Sequence, residues 1–287
     1  MTDVLRPAVV DIDLGGPLVV PRLGGRRRRN HRWPPPPRAV RRAIGPVLVL
    51  ALWQLASNLG LFSSIEVASP IAVFDAGRQL WEQGALQSNL VVSLRRVGEG
   101  LVLGVAAGVF LAVVSGLFHL GEDLLDPVLQ AARAVPILGL VPLSIIWFGV
   151  GEAPKIFLIA LGCAFPVYLN TYAGIRSVDV KLVEAGRTFG LNRWGLVRQV
   201  VLPGSLPGFL VGLRFAIVGS WLIIIVAEEI NAQSGIGYLI MQAQTTDRTD
   251  IMFLGLVVYA LLGLVADAIV RFLESRLLSW RRGFTGS

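Results

Sequence analysis

Long apolar runs separated by short polar stretches dominate the chain after about residue 42. Runs of roughly 20 apolar residues are typical of helices that cross a lipid bilayer. The third run is short and contains Pro136 and Pro142, so an irregular or tilted span is expected there. The pattern predicts an all-α, polytopic membrane protein with about six transmembrane helices. The predicted spans cover roughly residues 43–61, 90–117, 136–149, 155–175, 205–230 and 251–272.

Residues 1–38 differ from the rest because Pro, Gly and Arg replace the apolar residues, as in the runs Arg26–Arg29 and Pro34–Pro37. Such a composition cannot bury enough apolar surface to fold, so a disordered, cytoplasmic Arg/Pro-rich arm is expected. The first apolar run begins only near Ala43, so no secretory signal peptide is expected. Hydrophobic residues make up 54% of the chain and charged residues 16%, which leaves no room for a second, soluble domain. Residues 39–287 are then one transmembrane domain.

The distribution of basic residues predicts the orientation of the 287-residue chain, whose formal net charge is +7. Arg residues gather in the arm, between Arg176 and Arg198, and after Arg271. Cytoplasmic loops carry the excess of Lys and Arg, so both termini and the loops 118–135 and 176–204 are expected in the cytoplasm. This placement beside apolar runs favours a membrane protein, and no nucleic-acid partner is expected.

Metal and redox chemistry find little support in the sequence. Cys163 is the only cysteine and lies in an apolar run. The two histidines, His31 and His119, have no second ligand at helical spacing. We therefore expect no metal site.

Two local patterns predict further structure. Ser69 followed by Pro70 is typical of a helix start, and a polar-faced helix is expected to run through about Gln83 along the membrane surface. Small residues recur at every fourth position in the second and fifth predicted spans, which favours close helix packing. These residues are Gly100, Gly104 and Gly108, and then Gly204, Gly208, Gly212 and Ala216.

The segment 179–203 is too polar to cross a membrane, yet it carries the signals of two short helices. Asp179 can cap the first helix, and Gly190 can end it in a left-handed turn. Asn192 can cap the second helix, and Pro203 is expected to end it.

The first of these two helices has an apolar face that is expected to be buried. A loop that packs under its own membrane domain would show the same periodicity, so the pattern alone leaves the identity of the covering surface open. The face consists of Leu182, Ala185, Gly186 and Phe189, and the opposite side carries Lys181, Glu184 and Arg187.

The spacing within this segment resembles the EAA loop of binding-protein-dependent ABC importer permeases. In that family the loop runs Glu-Ala-Ala, three residues, Gly, nine residues, and Ile-x-Leu-Pro. Two positions depart from the pattern but stay small or apolar, because Gly186 replaces the second Ala and Val200 replaces Ile. The matching residues are Glu184-Ala185-Gly186, then Gly190 after three residues, then Val200-Val201-Leu202-Pro203 after nine more.

The resemblance implies the permease subunit of an ATP-driven importer with the MetI-like fold of type I ABC importers. The first helix of the loop would be the coupling helix, which sits in a groove of a separate ATPase. Because no G-x-x-x-x-G-K-[ST] phosphate loop occurs, this subunit is expected to be no enzyme and to hold no cofactor, with ATP and Mg²⁺ on the partner. The implied ATPase-coupling residues are Glu184, Ala185, Gly186, Arg187, Gly190, Leu202 and Pro203.

Further motifs make the resemblance closest to the permeases for aliphatic sulfonates, taurine and nitrate, over about residues 65–275. The implied assembly is a homodimer with two ATP-binding cassette subunits and an extracytoplasmic substrate-binding protein. Its implied location is the bacterial cytoplasmic (inner) membrane, among membrane lipid. The motifs are Ser69-Pro70, Pro142-Leu143, Trp147-Phe148-Gly149, Gly151-Glu152 with Lys155, Pro203 to Pro207, Gly212-Leu213-Arg214, Gly219-Ser220-Trp221, Ala227-Glu228 and Gly235-Ile236-Gly237.

Ionisable residues within membrane spans are costly and are therefore candidates for function. Arg214 could offer positive potential to an anion, although internal pairing or snorkelling would explain the same residue. Trp221 suits either packing or a gate. Arg95, Arg96, Glu228 and Glu229 fall near predicted outer ends, where contact with the binding protein or interfacial anchoring would explain them. The candidate substrate-path residues are Arg214, Trp221 and Glu228.

Two other functional classes stay open at this point. An ion-coupled secondary transporter would explain charges in the membrane and proline-broken spans, but it predicts paired repeats and midplane acids that the sequence does not show clearly. A membrane scaffold whose arm binds anionic lipid through Arg26–Arg29 is a third hypothesis, and that function could coexist with transport.

Overall fold

A computed structural model of the protein describes residues 38–63 and 66–278, and the predictions for residues 1–37 lie outside this part. The chain divides into the units Met1–Pro46 and Val47–Ser287, and the packing described below is that of the second unit. All regular elements in the described part are helical, as predicted. They are α1 (Arg38–Asn58), α2 (Pro70–Glu82), α3 (Ala85–Leu117), α4 (His119–Ala132), a 3-10 turn (Ile137–Leu140), α5 (Val141–Phe148), α6 (Ala153–Arg176), α7 (Val180–Thr188), α8 (Arg193–Leu196), a π-helical turn (Val197–Val201), α9 (Leu202–Asn231), α10 (Ile236–Thr245) and α11 (Thr249–Leu277).

Four of the predicted spans are confirmed as helices long and apolar enough to cross a membrane. They are α3, α6, α11 and the continuous stretch Arg193–Ile230, which contains α9. The segment 136–149 is not a straight span, because Ile137–Phe148 meets α4 at a bend of 84°. The apolar part of α1, Ile44–Asn58, is shorter than a full crossing. The described residues therefore provide four spanning helices, or five if the bent pair counts as one.

The predicted surface helix α2 begins as its sequence indicates. Ser69 Oγ accepts a hydrogen bond from Ala72 N at 3.2 Å, and Pro70 occupies the first turn, where its missing N–H leaves nothing unpaired. The helices α4 and α10 were not predicted. α4 is held to α6 by Tyr172 Oη, which donates to Glu122 at 2.7 Å.

The helices α3, α6 and α9 form the centre of the unit, with α6 between the other two. The glycine stripes lie at these two interfaces, as predicted. A Cβ atom at Gly104 would lie 2.4 Å from Ala160 O of α6, and one at Gly208 would lie 2.4 Å from Asn170 O. Glycine therefore allows the two backbones to approach closely. Close packing matters here because apolar side chains gain little free energy when they move from lipid into a helix interface.

Candidate functional site: a two-helix loop and a buried ion-pair cluster

The segment 179–203 folds locally as its sequence predicts over most of its length. Asp179 Oδ1 accepts from Lys181 N at 2.9 Å and caps α7. Gly190 has a φ of 83°, a left-handed conformation that side chains disfavour. Asn192 Oδ1 then accepts from Gly195 N at 2.7 Å and caps α8. Side-chain caps and one glycine thus define the two helices and the tight turn between them.

The prediction that Pro203 ends the second helix is wrong. The helix widens into the π-helical turn Val197–Val201, in which Leu202 N donates to Val197 O, and it continues directly as α9. Proline lacks an N–H and crowds the carbonyl four residues earlier, so a wider turn can accommodate Pro203 without breaking the helix. The loop is therefore joined to a membrane span without an intervening hinge loop.

The apolar face of α7 is largely uncovered by the described part of the chain. Leu182 is 58% exposed and Phe189 is 87% exposed, and Ala185 is exposed as well. Only Gly186 is buried, because it packs against the second helix, where an added Cβ would meet Leu196 Cδ2 at 2.7 Å. The expected burial of this face does not occur within the subunit.

The remaining loop residues that the sequence singled out are exposed as well. Glu184 and Arg187 are exposed and form no ion pair with another described residue. Leu202 and Pro203 are also exposed. Trp194 at the start of α8 is 70% exposed and adds a large aromatic side chain that the sequence analysis did not select.

A buried ion-pair cluster lies at the other end of α9. Arg96 of α3 is 2% exposed, and its guanidinium donates from Nη1 to Glu228 Oε1 at 2.8 Å and to Ser234 O at 2.6 Å. It also binds Glu152, through a short contact from Nε and through a 2.7 Å hydrogen bond from Nη2. Arg96 thus joins α3 and the C-terminal end of α9 to the two loops that precede α6 and α10.

Glu228 is fully buried and every one of its polar neighbours is a donor. Besides Arg96, Ser93 Oγ donates at 2.8 Å, Gly237 N at 2.9 Å and Tyr259 Oη at 3.1 Å. A buried carboxylate is tolerated only when it is paired and hydrogen-bonded in this way. The interior of the bundle therefore holds a neutralised charge pair.

The segment Gly235-Ile236-Gly237 is built closely around Glu228. A Cβ at Gly235, whose φ is 115°, would lie 2.4 Å from the Glu228 carboxylate, and a Cβ at Gly237 would lie 2.6 Å from Glu228 Cβ. The carboxylate also lies at the N-terminus of α10, where free N–H groups and the helix dipole favour a negative charge. These glycines are required by the close approach, which explains their place in the sequence.

Glu152 is the exposed member of the cluster and lies just before α6. The hydrogen bond from Arg96 is the main reason that the pKa of Glu152 is lowered from its usual value. A lowered pKa in the folded state stabilises the fold above the ordinary glutamate pKa, and this contribution disappears as the pH falls through the lowered value. We expect the Tm of Glu152→Gln to fall less than the Tm of the parent as the pH is lowered from neutral. The measurement is the Tm of both proteins over that pH range. A pH dependence identical to that of the parent would contradict this.

The structure places the candidate substrate-path residues in different surroundings. Arg214 Nη2 lies 2.8 Å from Asp267 Oδ1 of α11, so this partly exposed arginine forms an ion pair within the chain. Trp221 is 8% exposed and its ring contacts Tyr259 at a centroid distance of 6.3 Å. Of these three residues, only Glu228 belongs to the ion-pair cluster. Their roles along a substrate path stay predictions.

The sequence singled out Arg96 and Glu228, but it did not show that they pair with each other or which neutral groups bind Glu228. Arg96 and Glu228 could be recognised because each is a charged residue within or near a long apolar run. Ser93 and Tyr259 resemble many other polar residues in spans, and no local pattern links them to Glu228. Within the described ranges, no group of three or more His, Cys, Asp or Glu side chains could hold a metal ion.

The sequence profile described as "Binding-protein-dependent transport system inner membrane component" matches residues 101–279. The chain is 45% identical over 239 residues to the putative aliphatic sulfonates transport permease protein SsuC of Escherichia coli strain K12, which covers 83% of this chain and 91% of the relative. It is 39% identical over 241 residues to the protein with that name in Bacillus subtilis strain 168, covering 84% and 87%.

A solved structure described as an amino acid ABC transporter with histidines shares the fold. It superposes with a TM-score of 0.57 at 19% identity and covers 69% of this chain and 97% of that chain. The matched profile spans more than half of the chain, and both permeases exceed 30% identity over most of it. The chain therefore belongs to the family of binding-protein-dependent transport system inner membrane components, with the helical permease fold of ABC importers.

Proposed function

We propose that this chain is the membrane-spanning subunit of an ATP-driven importer of aliphatic sulfonates. A separate ATPase, which binds ATP and Mg²⁺, docks on the loop 179–203, and an extracytoplasmic binding protein delivers the substrate. The observation that carries the docking step is the uncovered apolar face of α7. A rigid, capped helix with Phe189 87% exposed has the character of an interface anchor rather than of a solvated loop.

The composition of the loop suits a protein partner. Exposed aromatic residues are enriched at interfaces, and Phe189 and Trp194 are such residues. Glu184 and Arg187, on the opposite side of α7, are exposed and can form charge pairs with the partner. Gly186 lets α7 and α8 pack closely, so the two helices can move together as one body.

Movement of the loop can reach the far end of the bundle through α9. From Leu202 to Glu228 the helix rises about 40 Å, at roughly 1.5 Å per residue. ATP-driven closure of two ATPase subunits would pull the loops and rock the two halves of a homodimer between inward and outward openings. In the proposed orientation, the loop and both termini face the cytoplasm of a bacterium, and the ion-pair cluster lies at the outer end.

The names of the two relatives support sulfonates as the substrate class. Selectivity in this arrangement rests mainly with the binding protein. Binding assays of that partner with aliphatic sulfonates, taurine and nitrate test the proposed class. Tight binding of nitrate without binding of sulfonates would contradict it.

Replacing Phe189 by Ala is expected to weaken ATPase docking by about 2 kcal/mol, or roughly thirtyfold, and to lower ATP-dependent uptake accordingly. The measurements are ATPase binding and sulfonate uptake in vesicles that contain the permease, the ATPase and the binding protein. The matched control is Val180→Ala, which truncates a side chain 66% exposed on the opposite side of the same helix. Equal effects of the two variants would contradict docking through the apolar face.

The same vesicles test the ion-coupled alternative. Uptake by the parent should require both the ATPase and ATP. Uptake without the ATPase that follows an ion gradient would overturn the proposed function.

A further inference from the structure

An open apolar cleft lies where α1, α2 and α11 meet, and neither the loop 179–203 nor the ion-pair cluster contributes to it. Its volume is about 560 Å³, within the roughly 300–1,000 Å³ typical of ligand clefts. Ile71 N of α2 donates to Gln54 Oε1 of α1 at 3.3 Å, and Trp53 of α1 contacts Phe253 of α11 at 5.5 Å between centroids. The walls include Leu50, Trp53, Val73, Phe74, Leu254 and Val257.

The edges of this cleft are apolar and uncovered in the described chain. Phe74 is 72% exposed, Leu50 51% and Val257 39%, whereas Val73 and Leu254 at its base are buried. Contiguous apolar surface around a groove marks a site for an apolar occupant. Because α11 is a spanning helix, this occupant comes from the bilayer or from a neighbouring protein.

One cation borders the cleft. Arg78 of α2 is 70% exposed, and among the described residues its hydrogen bonding is limited to Nε, which donates to Glu82 Oε1 at 3.0 Å. Such an exposed ion pair between residues one helical turn apart is weak, so it holds the guanidinium only loosely. Trp81, also at the cleft, is 57% exposed, and tryptophan is enriched where membrane meets water.

We propose that this cleft binds one acyl chain of a membrane phospholipid and that Arg78 contacts the phosphate group. A phospholipid has the two chemistries that the cleft presents, an apolar chain for the groove and an anion for the guanidinium. A second copy of this chain packed here would have to cover the exposed Arg78 guanidinium, whose ion-pair partner among the described residues is Glu82. Charge complementarity therefore favours the lipid.

The test is titration of the purified full-length protein, in non-ionic detergent, with phosphatidylglycerol, followed by native mass spectrometry. We expect one saturable phosphatidylglycerol site per chain. Diacylglycerol, which lacks the phosphate, should bind about fivefold more weakly. Glycerol 3-phosphate, which lacks the acyl chains, should not bind at the same concentrations. Equal binding of all three, or binding of glycerol 3-phosphate alone, would overturn the proposal.

Two variants separate the contributions of charge and groove. Arg78→Gln should weaken phosphatidylglycerol binding about fivefold, and Val257→Trp, which fills the groove, about tenfold. The matched control is Arg95→Gln, because Arg95 is also highly exposed and pairs with Glu99 one turn away but does not line this cleft. Arg78→Gln replaces an exposed side chain and is expected to fold. It therefore tests the proposal even if Val257→Trp does not fold.

The proposal is wrong if Arg78→Gln and Arg95→Gln have the same effect, or if Val257→Trp folds and binds the lipid as the parent does. A change in the proportion of dimer with unchanged lipid binding would show that a second copy occupies the cleft instead. None of these measurements uses ATP, substrate or the ATPase, so their outcome is independent of the proposed import function.

Discussion

Replacing Arg96 by Met is expected to lower the free energy of unfolding by about 3–5 kcal/mol, because it leaves the fully buried Glu228 carboxylate without its cation. Ser93, Gly237 and Tyr259 would still donate hydrogen bonds to Glu228, but none of them carries a charge. The measurement is denaturant unfolding of the purified protein in detergent.

The neighbouring residue provides the matched control for this prediction. Arg95 has a side chain 78% exposed and pairs with Glu99 on the surface, so Arg95→Met should change stability very little. The double variant Arg96→Met/Glu228→Gln should be more stable than Arg96→Met alone, since no unpaired charge then stays buried. Equal losses for the two arginine variants, or no coupling in the double variant, would show that the buried pair does not stabilise the bundle.

Replacing Gly104 by Ala is expected to lower the free energy of unfolding by about 1–3 kcal/mol through overpacking. The added Cβ would lie 2.4 Å from Ala160 O and 2.7 Å from Cys163 Cβ, so α3 and α6 must separate. Backbone atoms of a spanning helix cannot relax as the end of a side chain can, and the whole interface therefore shifts.

Gly98→Ala in the same helix should instead raise the free energy of unfolding. No atom lies within 4 Å of a Cβ placed at Gly98, and alanine has the higher helix propensity, so a gain of up to about 1 kcal/mol is expected. Thermal unfolding of both variants beside the parent checks the pair. Two losses of similar size would mean that glycine serves flexibility in α3 rather than close packing.

The spanning helices and the helix caps of the loop could be predicted from the sequence because both depend on local chemistry. A bilayer requires about 20 apolar residues in a row, and α3, α6, α9 and α11 provide them. The caps of α7 and α8 depend on Asp179 and Asn192, each of which bonds to a backbone N–H two or three residues away. The residues that form each cap are close in sequence, so the caps can be predicted without knowledge of the tertiary structure.

The prediction that Pro203 ends a helix failed because surrounding structure can override a local rule. A proline normally ends a helix, yet α9 continues across Pro203 because the preceding π-helical turn accommodates it. For the segment 136–149, Pro136 and Pro142 predicted an irregular or tilted span, and Ile137–Phe148 does meet α4 at a bend of 84°. The prolines indicated the irregularity but not its angle.

By itself, the sequence determined four helices that are long and apolar enough to cross a membrane, the two caps and the glycine turn of the loop 179–203, and the family spacing that this loop carries. Only the tertiary structure decided which charges meet. Arg96 and Glu228 are 132 positions apart, and Glu228 and Tyr259 lie on different helices. Their pairing depends on how α3, α9 and α11 pack, because burial removes the water that would otherwise solvate each charge separately.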